Sequence, residues 1–90
     1  MGKTLVSRIK TRKPKIVNKH INEKNVLGWA YQEDFEIEID PRQDAREYLN
    51  TLIHEMLHCF LPDASERTII KLADIMTEKI WRRRYRRMEK

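Results

Sequence analysis

The spacing of apolar residues changes once along this chain, and the change separates a β-rich first part from a helical second part. Phe35-Glu36-Ile37-Glu38-Ile39-Asp40 alternates with period two, which predicts a half-buried strand with Phe35, Ile37 and Ile39 toward a core and Glu36, Glu38 and Asp40 toward water. Val26-Leu27-Gly28-Trp29-Ala30-Tyr31 precedes it across the turn-like Gln32-Glu33-Asp34, and the two segments read as a hairpin. Upstream, residues 15–21 carry Ile16, Val17 and Ile21 and stop at the polar Asn22-Glu23-Lys24-Asn25, a further strand and turn. A short strand at residues 4–9 and a basic arm over residues 1–14 complete this half.

From Pro41 the period becomes about 3.6. Ala45, Tyr48, Leu49, Leu52, Ile53, Met56, Leu57 and Phe60 form one wide stripe, so residues 41–60 are expected to be helical. Two starts suit the junction: Asp40 as cap with Pro41 and Gln43, or Asp44 as cap with Glu47 three residues on. Pro62 ends the helix, and Asp63 with Glu66 forms a second capping box. Ile69, Ile70, Leu72, Ala73, Ile75, Met76, Ile80 and Trp81 then predict a second helix over residues 64–88. The short link makes the helices antiparallel neighbours. The expected fold is therefore α+β: a small antiparallel or mixed sheet of about three strands on two antiparallel helices, all in one domain of 90 residues.

Composition narrows the setting. No uncharged apolar run approaches the roughly 18 residues of a membrane span, and no signal peptide opens the chain, so a soluble cytoplasmic protein is expected. One cysteine, Cys59, excludes an internal disulfide and any site of two thiolates. Its apolar neighbours make it a small buried hydrophobe rather than a reactive thiol. Lys and Arg number 19 against 14 Asp and Glu, a net +5 at pH 7, and the cations gather at both ends. Arg82, Arg83, Arg84, Arg86 and Arg87 surround Tyr85 in a cluster that could neutralise phosphates, or simply keep a small protein solvated.

The chemistry lies in the first helix, at His54-Glu55-Met56-Leu57-His58. Residues four apart stand one turn above each other, so both imidazoles can meet one tetrahedral zinc ion. Glu55, about 100° around the helix, reaches a water beside the metal without ligating it, and so suits a general base. Zinc would polarise a peptide carbonyl and bring the pKa of that water toward roughly 7. A third ligand is required, and Glu66, in the first turn of the second helix, should lie level with His58. The alternative role for Glu66 is only to close the capping box with Asp63. Asp63 in the connection is the second candidate, and His20 in the upstream strand a third. Trp29 and Trp81 are expected in the core, while Tyr31, Tyr85 or an arginine could assist as an electrophile.

These residues together resemble a known family. Ile37-Glu38-Ile39-Asp40-Pro41, the helix segment Leu49-Asn50-Thr51-Leu52-Ile53-His54-Glu55-Met56-Leu57-His58, and Pro62-Asp63-Ala64-Ser65-Glu66 resemble small H-E-x-x-H zincin-like proteins of bacteriophages and bacteria, and more loosely SprT-like and short glutamate-type zincins. The resemblance implies a zinc metallopeptidase, with the hairpin near Phe35 to Ile39 holding an extended substrate by main-chain hydrogen bonds. The expected partners are a protein or peptide substrate, nucleic acid at the basic termini, and a second copy or partner protein completing a shallow cleft. The rival expectation is a small nucleic-acid-binding protein, or a zincin-like module that binds without cleaving.

Overall fold

The structure, a computed structural model, describes residues 12–88. The short strand expected at residues 4–9 and most of the basic arm lie outside that range. Three strands, β1 (Lys15–Asn18), β2 (Gly28–Tyr31) and β3 (Glu36–Ile39), are followed by two helices, α1 (Ala45–Phe60) and α2 (Glu66–Arg82). This is the expected α+β arrangement, with a mixed sheet. β2 and β3 form the antiparallel hairpin, with Trp29 opposite Glu38, while β1 pairs in parallel with the other edge of β3 so that Ile16 meets Ile37. The order β1-β3-β2 puts the most buried strand in the middle and leaves β2 at an edge.

Period two decides what this sheet buries. Ile37 and Ile39 are fully inaccessible and join Phe35, Tyr48 and Cys59 in the core, against which Ala30, Leu52, Met56 and Phe60 pack. Phe35 holds a left-handed φ of 54°, an unfavourable conformation for an aromatic residue, and its ring packs edge-on against Phe60 at 5.6 Å. The Tyr48 hydroxyl donates to Asn18 Oδ1 at 2.5 Å and ties β1 to α1. Burial of each Ile or Phe contributes roughly 1.5–3 kcal/mol, so these few side chains dominate the stability of the sheet–helix layer. Helix α2 packs on α1 through Ile69, Ala73 and Thr77.

Several expectations need correction. Asp40 does not face water: it is 5% exposed, receives the Ile21 amide at 3.0 Å and is held by the Arg42 guanidinium. Trp29 is not in the core but 47% exposed, on the outer face of the sheet beside Tyr31. The reason is parity. Gly28 and Ala30 take the inward positions of β2, so Trp29 and Tyr31 must point outward. Of the two helix starts, the later is observed: Asp44 caps α1 by accepting from the Glu47 amide at 2.8 Å. The second capping box does not form, because Ser65 caps α2 by accepting from the Thr68 amide at 3.2 Å. Helix α2 also stops at Arg82 rather than continuing to residue 88, as Arg84 turns into the left-handed region at φ 69°. Ile70 and Ile75, read as part of the apolar stripe, remain 45% and 56% exposed because, among the described elements, only α1 packs on α2.

Candidate metal centre

Helix α1 presents His54 and His58 on the side nearest α2. Their Nε2 atoms are 3.2 Å apart, with the rings at 62° to each other. Glu66, the first residue of α2, spans the pair: Oε1 is 2.8 Å from His58 Nε2 and Oε2 is 3.1 Å from His54 Nε2. Ser65 makes this possible. By capping α2 itself, it frees the neighbouring Glu66 carboxylate from capping and lets it turn toward α1.

The donor set can be tested against zinc. Ligand atoms about 2.0–2.1 Å from a tetrahedral zinc lie about 3.3 Å from one another. The two imidazole nitrogens stand 3.2 Å apart and each Glu66 oxygen lies 2.8 or 3.1 Å from one of them, all slightly shorter, so an ion would need these neighbouring donors to spread by at most about half an ångström. Two imidazoles and one carboxylate are borderline and hard donors of the kind zinc takes in catalytic sites. Among the described residues, His54, His58 and Glu66 form the group that could hold a metal ion. Asp63 is exposed in the connection and outside that group, and so is His20, which borders a cleft on the outer sheet face with Tyr31 and Glu38.

Glu55 lines a groove together with Gly28, Trp29, Ala30, Gln32 and the three possible ligands. Burial pushes its carboxyl pKa up, opposed by positive charge on His54 and His58 and reinforced by Glu66. A raised carboxyl is a better proton acceptor, which is what a general base requires. Cys59 is 1% exposed, and burial pushes its thiol up as well, consistent with a packing role.

Two contributors escaped the sequence reading. Gly28 faces α1 so closely that a Cβ there would stand 2.6 Å from Thr51 Cγ2 and 3.1 Å from Glu55 Cγ. Its missing side chain lets the helix carrying Glu55 lie against β2. Gln32, in the hairpin turn, donates from Nε2 to the His58 carbonyl at 2.7 Å and ties that turn to the end of α1. A lone glycine inside a strand-like segment was the available signal for the first; nothing marked the second.

The hairpin strand beside the groove is β2, not the segment from Phe35 to Ile39, because β3 is paired on both edges. Asp40 donates its amide to the Leu27 carbonyl at 3.0 Å, which fixes the alternation along β2. The main-chain groups of Trp29 and Tyr31 therefore face β3, and those of Gly28 and Ala30 face the edge that no described strand pairs. Tyr31 is no electrophile here: its hydroxyl donates to Glu38 on the far face of the sheet, and that bond pushes its pKa up. Tyr85 lies beyond the other end of α2, near Trp81 and Arg86.

The arginine cluster divides in two. Arg86 lies 3.5 Å from the Trp81 ring centroid and donates to the Trp81 carbonyl, and Arg87 lies 4.0 Å from the Tyr48 ring centroid and donates to the Pro41 carbonyl. Both fold back onto the domain. Arg82, Arg83 and Arg84 stay exposed, with Arg82 3.8 Å from Glu78. No helix among the described residues is long and apolar enough to cross a membrane.

Compared with protein-family models, curated proteins and solved structures, the chain has no match in any of the three.

Proposed function

We propose that this protein is a zinc-dependent metallopeptidase, a reading that rests on one observation above all: the Glu66 carboxylate on one helix bridges the His54 and His58 Nε2 atoms on the other, each oxygen within 3.1 Å of one imidazole, beside a partly buried Glu55 and a strand edge left unpaired among the described residues. His54, His58 and Glu66 would hold the metal. Zinc bound there supplies Lewis acidity, polarising the scissile carbonyl and lowering the pKa of a nearby water. Glu55 takes a proton from the attacking water as its oxygen bonds to the carbonyl carbon, and delivers a proton to the amine as the C–N bond breaks. The outward main-chain groups of Gly28 and Ala30 hold an extended peptide as an added strand, setting its carbonyl over the metal centre. The test is metal content by mass spectrometry together with peptide hydrolysis. One zinc per chain, retained in Glu55→Gln while hydrolysis is lost, is expected. A protein that takes up no zinc, or a Glu55→Gln variant that cleaves like wild type, would reject the reading.

A second reading, nucleic-acid binding, is favoured by the exposure of Arg82, Arg83 and Arg84 on one end of α2. It is compatible with the first, since this end of α2 is opposite to Glu66. Affinity for a DNA duplex should then fall steeply with salt, and unchanged affinity after replacing all three arginines by alanine would exclude this surface.

A further inference from the structure

The groove does not end at Glu55. Past Gly28, His54 and Glu55 it follows the edge of β2 along Leu27, Asn50 and Thr51, and then opens between Asp44, Glu47 and Asp74. Carboxylates dominate it from end to end: Glu55, Glu66, Asp44, Glu47 and Asp74, against Arg46. That bias is opposite to the net +5 of the chain. Arg46 is drawn aside, with its guanidinium 5.9 Å from the Trp81 ring centroid.

The two ends of this groove differ electrostatically. A divalent ion at His54, His58 and Glu66 would balance the charges of Glu55 and Glu66. Among the described residues no cation forms an ion pair with Asp44, Glu47 or Asp74: Asp44 accepts from the Glu47 amide and Asp74 from the Asn50 side chain at 3.1 Å, and both donors are neutral. Resting on the peptidase reading above, we infer that the groove selects extended peptides carrying lysine or arginine two or three residues from the scissile bond, on the Leu27–Asn50 side. The distance follows from geometry. Asn50 and Glu47 precede His54 by four and seven residues, about 6 and 10 Å along the helix. A peptide strand rises about 3.3 Å per residue, so these positions are two to three residues away.

The experiment uses the full chain carrying Glu55→Gln, loaded with zinc so that peptides stay intact, and two fluorescein-labelled ten-residue peptides. One has lysines, the other glutamates, two and three residues from the central bond. By fluorescence anisotropy at low salt, the lysine peptide should bind at least about tenfold more tightly, the combined effect of three exposed charges. Adding Asp44→Asn, Glu47→Gln and Asp74→Asn preserves the helix cap and the Asn50 contact while removing those charges. The preference should then fall about tenfold. Equal binding of the two peptides, binding of neither, or an unchanged preference in the neutralised protein would overturn the inference. Zinc content on the same samples separates the two ideas. One zinc per chain without lysine preference rejects the selectivity alone, whereas lysine preference without zinc rejects the peptidase reading and leaves the groove as a site for basic peptides.

Discussion

Glu66 Oε1 stands 2.8 Å from His58 Nε2 although the two residues belong to different helices. The connection between those helices, residues 61–65, brings the first residue of α2 level with the last turn of α1. Removing this carboxylate's charge while keeping its size should therefore cost metal. Glu66→Gln is expected to weaken zinc affinity by more than the 10- to 100-fold typical of residues that only support a ligand, measured by competition with a chelator. Affinity within threefold of wild type would remove Glu66 from the site.

Metal should also stabilise the fold, since its donors come from two helices that separate on unfolding. At free zinc 100 times the dissociation constant, linkage adds about 2.7 kcal/mol, or about 10–20 °C in Tm for a domain of this size. Thermal scans with zinc and with a chelator test this. The same increase in His54→Ala or Glu66→Gln would show that zinc acts elsewhere.

Gly28 carries a separate expectation. Gly28→Ala places a Cβ 2.6 Å from Thr51 Cγ2, and overpacking of this kind costs about 1–3 kcal/mol. Thr51→Ser deletes the obstructing methyl while keeping the hydroxyl that donates to Gln43 at 2.7 Å. The double variant should recover much of the loss in urea denaturation. Simple additivity of the two changes would mean that helix and strand do not meet here.

Asp40 should govern the acid limb of stability. Its hydrogen bonds with Arg42 hold its carboxyl well below the usual carboxylate range. A depressed folded-state pKa contributes stability that is fully present above the unfolded value near 4, and is lost as pH falls from there toward the folded value. Asp40→Asn should lower Tm at pH 7 and flatten its fall between about pH 4 and 2. An acid limb of unchanged slope would assign it to other carboxylates.

The arginines at the end of α2 should separate by role. Arg86→Ala loses the stacking on Trp81 and two carbonyl contacts, a cost of about 0.5–2 kcal/mol in stability. Arg83→Ala with Arg84→Ala should leave stability within about 0.5 kcal/mol and alter only salt-dependent binding to nucleic acid. Equal stability losses in the two proteins would contradict the division.

Much of this arrangement was legible in the sequence. Alternation through Ile37 and Ile39 specified a half-buried strand, because successive side chains must point to opposite faces, although Phe35, read as its first residue, lies just before it with a left-handed φ. The spacing of His54 and His58 specified that their rings share one side of α1, since four residues nearly close a helical turn. Tertiary structure decided what local pattern could not. It made Ser65, rather than Asp63, the cap of α2, which left Glu66 to turn toward the histidines. It buried Asp40 because the Ile21 amide and Arg42 arrive from other segments, and it exposed Trp29 because Gly28 had to face Thr51. Periodicity reports which residues share a face. Which face is covered, and by what, depends on how separate elements pack.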